Sequence, residues 1–289
     1  REAGKYAVEM ARAGRKPSEL ITKEVLLNSI MFDMAVAGST NAVLHILSYA
    51  YELGIKLTLE DFEKYAKEIP CINAVVPSGP YTVVDFHYAG GVMNVMKMLE
   101  NKLYTDVPSM YGNTWKDMLA VVKPQENKVI HSLERPLFQE PGLKILRGNL
   151  SPNGAIVRPT AVYDEVKYMK GKAKVFEGDR SAFEAIQAGE IVPGDIIVIR
   201  YEGCKGAPGM KELMLSIDAL IGLGLHKSVG LISDARFSGF NFGAIIGHVS
   251  PEAYDGGTIA LVENGDEIVI DIPNGEVSLL VSEEELKER

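Results

Sequence analysis

The sequence predicts a mixed α/β (α+β) protein: a helical first part followed by a β-rich second part with flanking helices. Residues 1 to about 120 repeat apolar side chains at helical spacing. From about residue 125 onward the pattern changes to short apolar runs separated by Gly and Pro turns. We place the domain boundary in 123–128, which divides the chain into residues 1–125 and 126–289.

Helical spacing in the first part predicts five helices, at 24–37, 42–53, 59–69, 90–102 and 114–121. Two stretches, 37–41 and 70–91, are predicted to be irregular. In the first of these, Ser39, Thr40 and Asn41 stand where a new helix begins. These residue types are typical of an ordinary helix cap, but a helix N-terminus can also offer N–H groups to an anionic substrate. The residues alone leave both interpretations open.

The second part is predicted to contain short strands at 143–146, 155–157, 173–176, 196–200, 229–232, 258–262 and 268–272. Helices are predicted at 181–187, at 210–223 and in the charged tail from 283. Short strands with few long crossovers favour a barrel or a sandwich.

Composition excludes several classes of protein and partner. The 289 residues are 46% hydrophobic and carry 30 basic against 39 acidic residues, a net charge of -9. This balance argues against nucleic-acid or acidic-membrane binding, and the absence of a long apolar segment or signal peptide predicts a cytoplasmic protein. Cys71 and Cys204 form neither a disulfide framework nor a zinc motif. Because the first residue is Arg1, we expect the chain to begin inside a longer protein.

Two predicted strands end in polar or glycine-rich loops. The apolar run 229–232 is followed by Ser233, Asp234 and Arg236, and the run 196–199 leads through a Gly/Pro-rich turn to Glu212. Loops at strand ends often carry functional groups on a rigid scaffold, so we expect both exits to face one site. Asp234 and Arg236 would share a face of an extended segment and could pair there.

Two of these side chains have both an ordinary and a chemical interpretation. Glu212, placed in the first turn of the predicted helix, would suit the helix dipole, but it could also bind Mg²⁺. Ser238 lies in a Ser-Gly turn, and as a base or nucleophile it would need an activating neighbour. Because no histidine stands at a diagnostic spacing and Gly-x-Ser-x-Gly is absent, a Ser-His-Asp hydrolase is disfavoured.

Several segments resemble, in order along the chain, the dihydroxy-acid dehydratase / phosphogluconate dehydratase family. The most specific are Arg200-Tyr-Glu-Gly-Cys-Lys-Gly-Ala-Pro-Gly-Met210 and Ser233-Asp-Ala-Arg-Phe-Ser-Gly239. Further similar segments are 38–45, 77–79, 85–91, 146–154, 193–195, 247–253 and 271–274. The resemblance implies the helical remnant of an α/β N-terminal domain followed by a β-barrel-like swivelling domain, and a homodimer.

The resemblance also implies a reaction, the removal of water from a 2,3-dihydroxy acid to give a 2-oxo acid. In this family an iron-sulfur cluster acts on the departing 3-hydroxyl, Mg²⁺ holds the carboxylate end, and a serine alkoxide takes the C2 proton. Carried over to this sequence, Ser238 is the base and Glu212 is one Mg²⁺ ligand. Ser39, Thr40, Asn41, Arg236 and Gly239 are placed near the substrate.

The family's cluster cysteines and its remaining Mg²⁺ ligands belong to the N-terminal half, and their motifs do not occur here. We therefore expect this chain to be inactive alone and to require an N-terminal half. The expected substrate is 2,3-dihydroxyisovalerate, in isoleucine and valine biosynthesis. Ser-Asp-Ala-Arg at 233–236 is closer to sugar-acid (aldonate or phosphogluconate) dehydratases, which is the alternative. A non-catalytic binding or assembly module is a second alternative.

Overall fold

The protein, seen here in a computed structural model, is described over residues 2–289 and divides into two compact units. Unit 1 contains the chain up to Val36 and Ala42–Gln139, and unit 2 contains Ala37–Asn41 and Glu140–Arg289. The segment Ala37–Asn41 thus belongs with residues that follow only from Glu140 onward in the chain. Within residues 2–289 no helix has both the length and the apolar character needed to cross a membrane.

Unit 1 is built from helices packed around an apolar core. The helices are α1 (Glu2–Arg12), α2 (Pro17–Leu20), α3 (Lys23–Val36), α4 (Thr40–Glu52), α5 (Leu59–Glu68), α6 (Val83–Tyr88), α7 (Gly91–Met98) and α8 (Trp115–Ala120). Helix α3 lies at the centre and contacts α5 and α7. Its buried Ile30 and Met34, with Phe62 of α5, are typical of a helix surrounded by others. The five helices predicted in this part are confirmed, with small shifts at their ends.

Helix α6 lies in a stretch that was predicted to be irregular, and that prediction was wrong. The Thr82 hydroxyl accepts a hydrogen bond from the Asp85 N–H at 3.2 Å, and the Asp85 carboxylate accepts one from the Thr82 N–H at 2.8 Å. This reciprocal capping box satisfies N–H groups at the helix start and allows a short helix to form between turns.

Unit 2 alternates short strands with helices. The strands are β1 (Lys144–Leu146), β2 (Gly154–Val157), β3 (Tyr168–Glu177), β4 (Ile196–Arg200), β5 (Glu212–Leu213), β6 (Gly230–Ser233), β7 (Arg236–Phe237), β8 (Ile245–Ser250), β9 (Glu267–Asp271) and β10 (Glu276–Leu279). The helices are α9 (Asp179–Gln187), α10 (Leu215–Gly222) and α11 (Glu283–Glu288). Strands β8 and β10 have no counterpart in the prediction, which relied on continuous apolar runs. Strand β10 instead alternates polar and apolar residues and buries Val277 and Leu279, and Gly247 and His248 interrupt the apolar run of β8.

Eight of these strands form one mixed sheet in the order β1-β2-β8-β6-β4-β3-β9-β10. The central strands β3, β4, β6 and β8 are parallel to their neighbours in this group, and the outer pairs are antiparallel. The sheet nearly closes, since the Arg147 N–H donates to the Gly275 carbonyl at 2.8 Å and the Val277 N–H donates to the Arg147 carbonyl at 2.9 Å. The predicted barrel-like fold with flanking helices is confirmed.

Two predicted elements of unit 2 are wrong. Residues 258–262 were predicted as a strand, but Thr258–Leu261 forms a 3₁₀ turn that buries Ile259 against the sheet. A short apolar run does not by itself distinguish a strand from a buried turn. The helix predicted at 210–223 begins only at Leu215, because Glu212 and Leu213 pair with β7 as strand β5.

Candidate functional site

Strands β4 and β6 are parallel neighbours, so their C-terminal ends meet at the same edge of the sheet. There the buried Asp234 carboxylate accepts hydrogen bonds from the N–H groups of Tyr201 at 3.1 Å, Glu202 at 3.1 Å and Ala253 at 2.9 Å. The two loops thus lie side by side at this edge, and their facing one functional site stays a prediction. The suggested ion pair between Asp234 and Arg236 is wrong, since no such pair occurs among the described residues and these backbone donors occupy the carboxylate.

Burial raises the pKa of the Asp234 carboxyl, and the three backbone N–H groups offset part of that rise by stabilising the carboxylate. The nearby Glu252 carboxylate adds to the rise. Glu252 in turn accepts hydrogen bonds from the N–H groups of Lys205 and Gly206, at 2.9 and 3.1 Å. Both carboxylates therefore bind backbone, and they hold the glycine-rich loop after β4 in place.

Glu212 and Arg236 lie opposite each other in the short parallel pair of β5 and β7. The Arg236 guanidinium donates through Nε to the Met210 carbonyl at 2.5 Å, so it ties the start of β5 to β7. Glu212 is half-buried. The structure thus brings Glu212 next to the segment that carries Ser238, but on a strand rather than at a helix start.

Asn41 connects the residues from the two halves of the sequence. Its Nδ2 donates to Glu212 Oε1 at 2.7 Å and to the Phe237 carbonyl at 3.4 Å. Helix α4 begins at Thr40, two residues before the predicted start at residue 42, and the Asn41 N–H donates to the Ser39 hydroxyl at 3.2 Å. Two buried oxygens of this segment, Thr40 Oγ1 and Asn41 Oδ1, have no hydrogen-bond partner. Such atoms are costly to bury and suit a ligand contact.

Ser238 and Gly239 follow β7 directly. The Ser238 hydroxyl accepts a hydrogen bond from the Phe240 N–H at 3.3 Å, and its carbonyl accepts one from Asn241 Nδ2 at 3.0 Å. The hydrogen bond at the hydroxyl thus comes from backbone rather than from an imidazole. The Gly239 carbonyl accepts a hydrogen bond from the guanidinium of Arg158.

Arg158 is a residue that the sequence analysis missed. Its guanidinium also donates to the Gly38 carbonyl, at 2.5 Å, so one side chain joins the Gly38–Asn41 segment to the loop after β7. The sequence does contain a signal for it: Arg158 directly follows the apolar run Ala155-Ile-Val157, just as polar residues follow β6. The run predicts a strand, but the polar residue at its end was not counted among the candidates.

Backbone strain concentrates around these segments. Ala37, Tyr201 and Met210 have φ values of 49°, 63° and 50°, in the left-handed region that side chains other than glycine seldom adopt. Ala37 precedes the Gly38–Asn41 segment, Tyr201 begins the loop after β4, and Met210 ends it. Strained residues persist where the surrounding structure holds them, often at functional sites.

The donor set of this chain fits one of the two expected cofactors in part and does not fit the other. Mg²⁺ takes oxygen ligands and is commonly held by one or two carboxylates with waters, which Glu212 and the unpartnered Asn41 Oδ1 suit. An iron-sulfur cluster needs several thiolates. In unit 2 only Cys204 is a cysteine, and burial and Glu252 raise the pKa of its thiol, which disfavours the thiolate. Residues 2–289 hold no cluster of three or more His, Cys, Asp or Glu side chains suited to a metal.

Comparison with family models gives two matches. Residues 128–289 match the model of the C-terminal domain of dihydroxy-acid/6-phosphogluconate dehydratases. Residues 1–118 match the model of the N-terminal domain of the same proteins. Together the two matches cover nearly the whole chain.

Curated relatives agree with these matches. A dihydroxy-acid dehydratase from Clostridium novyi is 46% identical over 99% of this chain and 52% of its own length. The dihydroxy-acid dehydratases of Methanosarcina barkeri and Ignicoccus hospitalis are 44% and 46% identical, over 53% and 52% of their lengths. The chain therefore spans about half the length of the curated relatives it matches.

Proposed function

Because the chain belongs to the dihydroxy-acid/6-phosphogluconate dehydratase family, we propose that it forms part of a hydro-lyase that acts on a 2,3-dihydroxy acid. The observation that carries this proposal is the bridge made by Asn41. Its Nδ2 binds both Glu212 and the carbonyl of Phe237, so it holds a half-buried carboxylate beside the backbone that leads into Ser238.

The reaction requires a base at C2 and a departing hydroxide at C3. As an alkoxide, Ser238 takes the C2 proton, the electrons of the C2–H bond form the C2–C3 double bond, and the C3 hydroxyl leaves as hydroxide. Hydroxide takes that proton from Ser238 to give water, and the remaining enol tautomerises to the 2-oxo acid. The Phe240 N–H, which donates to the Ser238 hydroxyl, stabilises negative charge on that oxygen. Ser238 is therefore proposed as the base. The hydrogen bond from the Arg158 guanidinium to the Gly239 carbonyl fixes the turn on which Ser238 lies.

Glu212 is proposed as one protein ligand of Mg²⁺, with Asn41 orienting its carboxylate. Such an ion supplies electrostatic stabilisation to the carboxylate and enolate oxygens of a bound substrate. Ser39, Thr40, Arg236 and Gly239 are proposed to line the substrate position. The cysteines of this chain do not fit an iron-sulfur cluster, so the family's cluster is proposed to be held by residues outside it.

The proposed substrate is 2,3-dihydroxyisovalerate, in the synthesis of branched-chain amino acids. The relatives are named dihydroxy-acid dehydratases, which supports a dihydroxy acid as substrate without specifying which one. The description of the matched family also includes 6-phosphogluconate, which keeps the sugar-acid alternative as the second candidate. A cytoplasmic location and a homodimeric enzyme are parts of the same proposal.

The test uses a protein extended to the length of the relatives, with iron, sulfide and magnesium measured beside anaerobic dehydration. We expect turnover of dihydroxyisovalerate with a higher kcat/KM than on aldonic acids. Ser238→Ala should lower kcat roughly 10³-fold without changing the metal content. Ser181→Ala is the matched control, because the Ser181 hydroxyl donates to the carbonyls of Glu177 and Gly178, away from the site.

Three outcomes would count against the proposal. An extended protein that binds the cofactors but dehydrates neither class of acid would favour the binding-module alternative. Faster turnover of aldonic acids would favour the sugar-acid alternative. Equal kcat for the Ser238→Ala and Ser181→Ala variants would remove Ser238 from the role of base.

A further inference from the structure

Arg158 follows the last residue of β2 and is almost fully buried, with 3% of its surface exposed. Its Nη1 donates to the carbonyl of Gly239 and its Nη2 donates to that of Gly38. These two acceptors lie 81 and 120 positions from Arg158 in the sequence. The guanidinium also lies directly against Gly239, where an added Cβ would be 3.7 Å from Nη2.

Burial of a guanidinium costs free energy that its hydrogen bonds must offset. Arginine suits this position because its planar donors point in fixed directions and can hold two acceptors at once. Lysine would bring a point charge without that fixed geometry. The arrangement therefore specifies where the two carbonyl groups stand relative to each other.

The two carbonyl groups belong to the segments that carry the proposed site. Gly239 directly follows Ser238, and Gly38 directly precedes Ser39. Asn41 makes a second link between the same segments, because its Nδ2 donates to the carbonyl of Phe237. Ser238 is thus fixed on both sides, by Asn41 at the residue before it and by Arg158 at the residue after it.

We propose that Arg158 is a positioning residue that sets the Ser238 turn relative to the Gly38–Asn41 segment. This inference rests on the proposed function for its effect on catalysis, but the positioning itself does not depend on any activity. Misplacement of a reacting group by about 1 Å can lower the rate roughly 100-fold. Loss of the guanidinium should therefore act mainly on kcat rather than on KM.

The experiment compares Arg158→Met and Arg158→Lys in the protein extended to the length of its relatives. Hydrogen exchange of peptides covering 38–41 and 238–242 reports positioning, and steady-state kinetics reports catalysis. We expect Arg158→Met to speed exchange in both peptides and to lower kcat roughly 100-fold with little change in KM. Arg158→Lys should give exchange rates and a kcat between those of the unsubstituted protein and those of Arg158→Met.

Arg200→Met is the matched control. Arg200 also binds two carbonyl groups in unit 2, those of Ala260 and Val262, but neither belongs to the site segments. Its loss should leave exchange in 38–41 and 238–242 unchanged. Unchanged exchange in Arg158→Met would overturn the inference, as would equal effects of Arg158→Met and Arg200→Met on these peptides. The extended protein without substitutions could also show no dehydration. If Arg158→Met still speeds exchange in these peptides of that protein, the result would support the positioning role and count against the proposed function.

Discussion

Single side chains decide the geometry of the site, and Asn41 is the clearest case. Its Nδ2 lies 2.7 Å from Glu212 Oε1, so a carboxylate at position 41 would face another carboxylate at hydrogen-bond distance. An amide and a carboxylate have nearly the same shape. The pair of substitutions Asn41→Ala and Asn41→Asp therefore separates loss of a donor from addition of a charge.

We predict that Asn41→Ala lowers the free energy of unfolding by about 1–2 kcal/mol and that Asn41→Asp lowers it further. Like charges at this distance repel each other, and added salt screens part of that repulsion. Urea unfolding at low and high salt measures both effects. A variant Asn41→Asp as stable as Asn41→Ala at low salt would show that the hydrogen bond to Glu212 does not hold in solution.

The raised pKa of Asp234 predicts how the free energy of unfolding changes with pH. Its native pKa is raised above the ordinary value of 3.8 because the carboxyl is buried, so the folded protein binds this proton more tightly than the unfolded chain does. Its contribution to the free energy of unfolding is therefore fully present below pH 3.8 and is lost as pH rises through the raised native pKa.

The measurement compares wild type with Asp234→Asn, which cannot titrate. We expect the stability of wild type relative to Asp234→Asn to decrease as pH rises from below 3.8 toward neutrality, as followed by urea unfolding at several pH values. A relative stability that increases over the same pH range would mean that the three N–H donors outweigh burial and lower the pKa.

At the scale of one element, helix α10 depends on a residue from outside its own sequence. Its N-cap is Met214, which has no capping oxygen. Instead, the buried Asp179 at the start of α9 accepts hydrogen bonds from the N–H groups of Met214, Leu215 and Ser216, at 3.0 to 3.1 Å. The Ser216 hydroxyl adds a fourth, at 2.6 Å. This remote cap explains why the helix begins after β5.

We predict that Asp179→Ala lowers the free energy of unfolding by about 2–4 kcal/mol, because it leaves several buried donors without an acceptor. Ser216→Ala removes the hydroxyl, which contacts both the carboxylate and the backbone carbonyl of Asp179, and leaves the N–H contacts of Asp179 in place, so its cost should be about 1 kcal/mol. Urea unfolding of both variants provides the comparison. Equal costs would show that the backbone contacts of Asp179 contribute nothing to α10.

At the scale of the whole of unit 2, stability depends on closing the sheet between β1 and β10. Besides the backbone bonds of Arg147, Asn149 takes part through both ends of its amide. Its Nδ2 donates to the Leu279 carbonyl at 2.7 Å, and its Oδ1 accepts from the Leu279 N–H at 2.8 Å. The side chain thus pairs with β10 as a neighbouring strand would.

We predict that Asn149→Ala lowers the free energy of unfolding by about 1–3 kcal/mol and speeds hydrogen exchange in β10 before the rest of the sheet. Asn149→Asp keeps the acceptor and loses the donor, so its free energy of unfolding should lie between those of wild type and Asn149→Ala. Peptide-level hydrogen exchange locates the change. Exchange in β10 that stays as slow as in wild type would show that the backbone bonds of Arg147 suffice for closure.

Local sequence patterns were sufficient to predict the helical first part, the β-rich second part, most of their helices and strands, and the family. These follow from local periodicity and from motifs, which neighbouring residues encode without reference to the fold. The sequence also placed Ser238, Glu212 and Asn41 among the candidate residues, whose roles in catalysis stay predictions.

Which of these residues meet follows from contacts that form only in the folded protein. Asn41 contacts a residue 171 positions away, and Arg158 joins carbonyl groups from two distant segments. Glu212 was expected in a helix because its local pattern favours one, but pairing with β7 and the remote cap of Asp179 place it on a strand. Contacts between residues far apart in the chain depend on strand order and sheet closure, and no local pattern of residues encodes these.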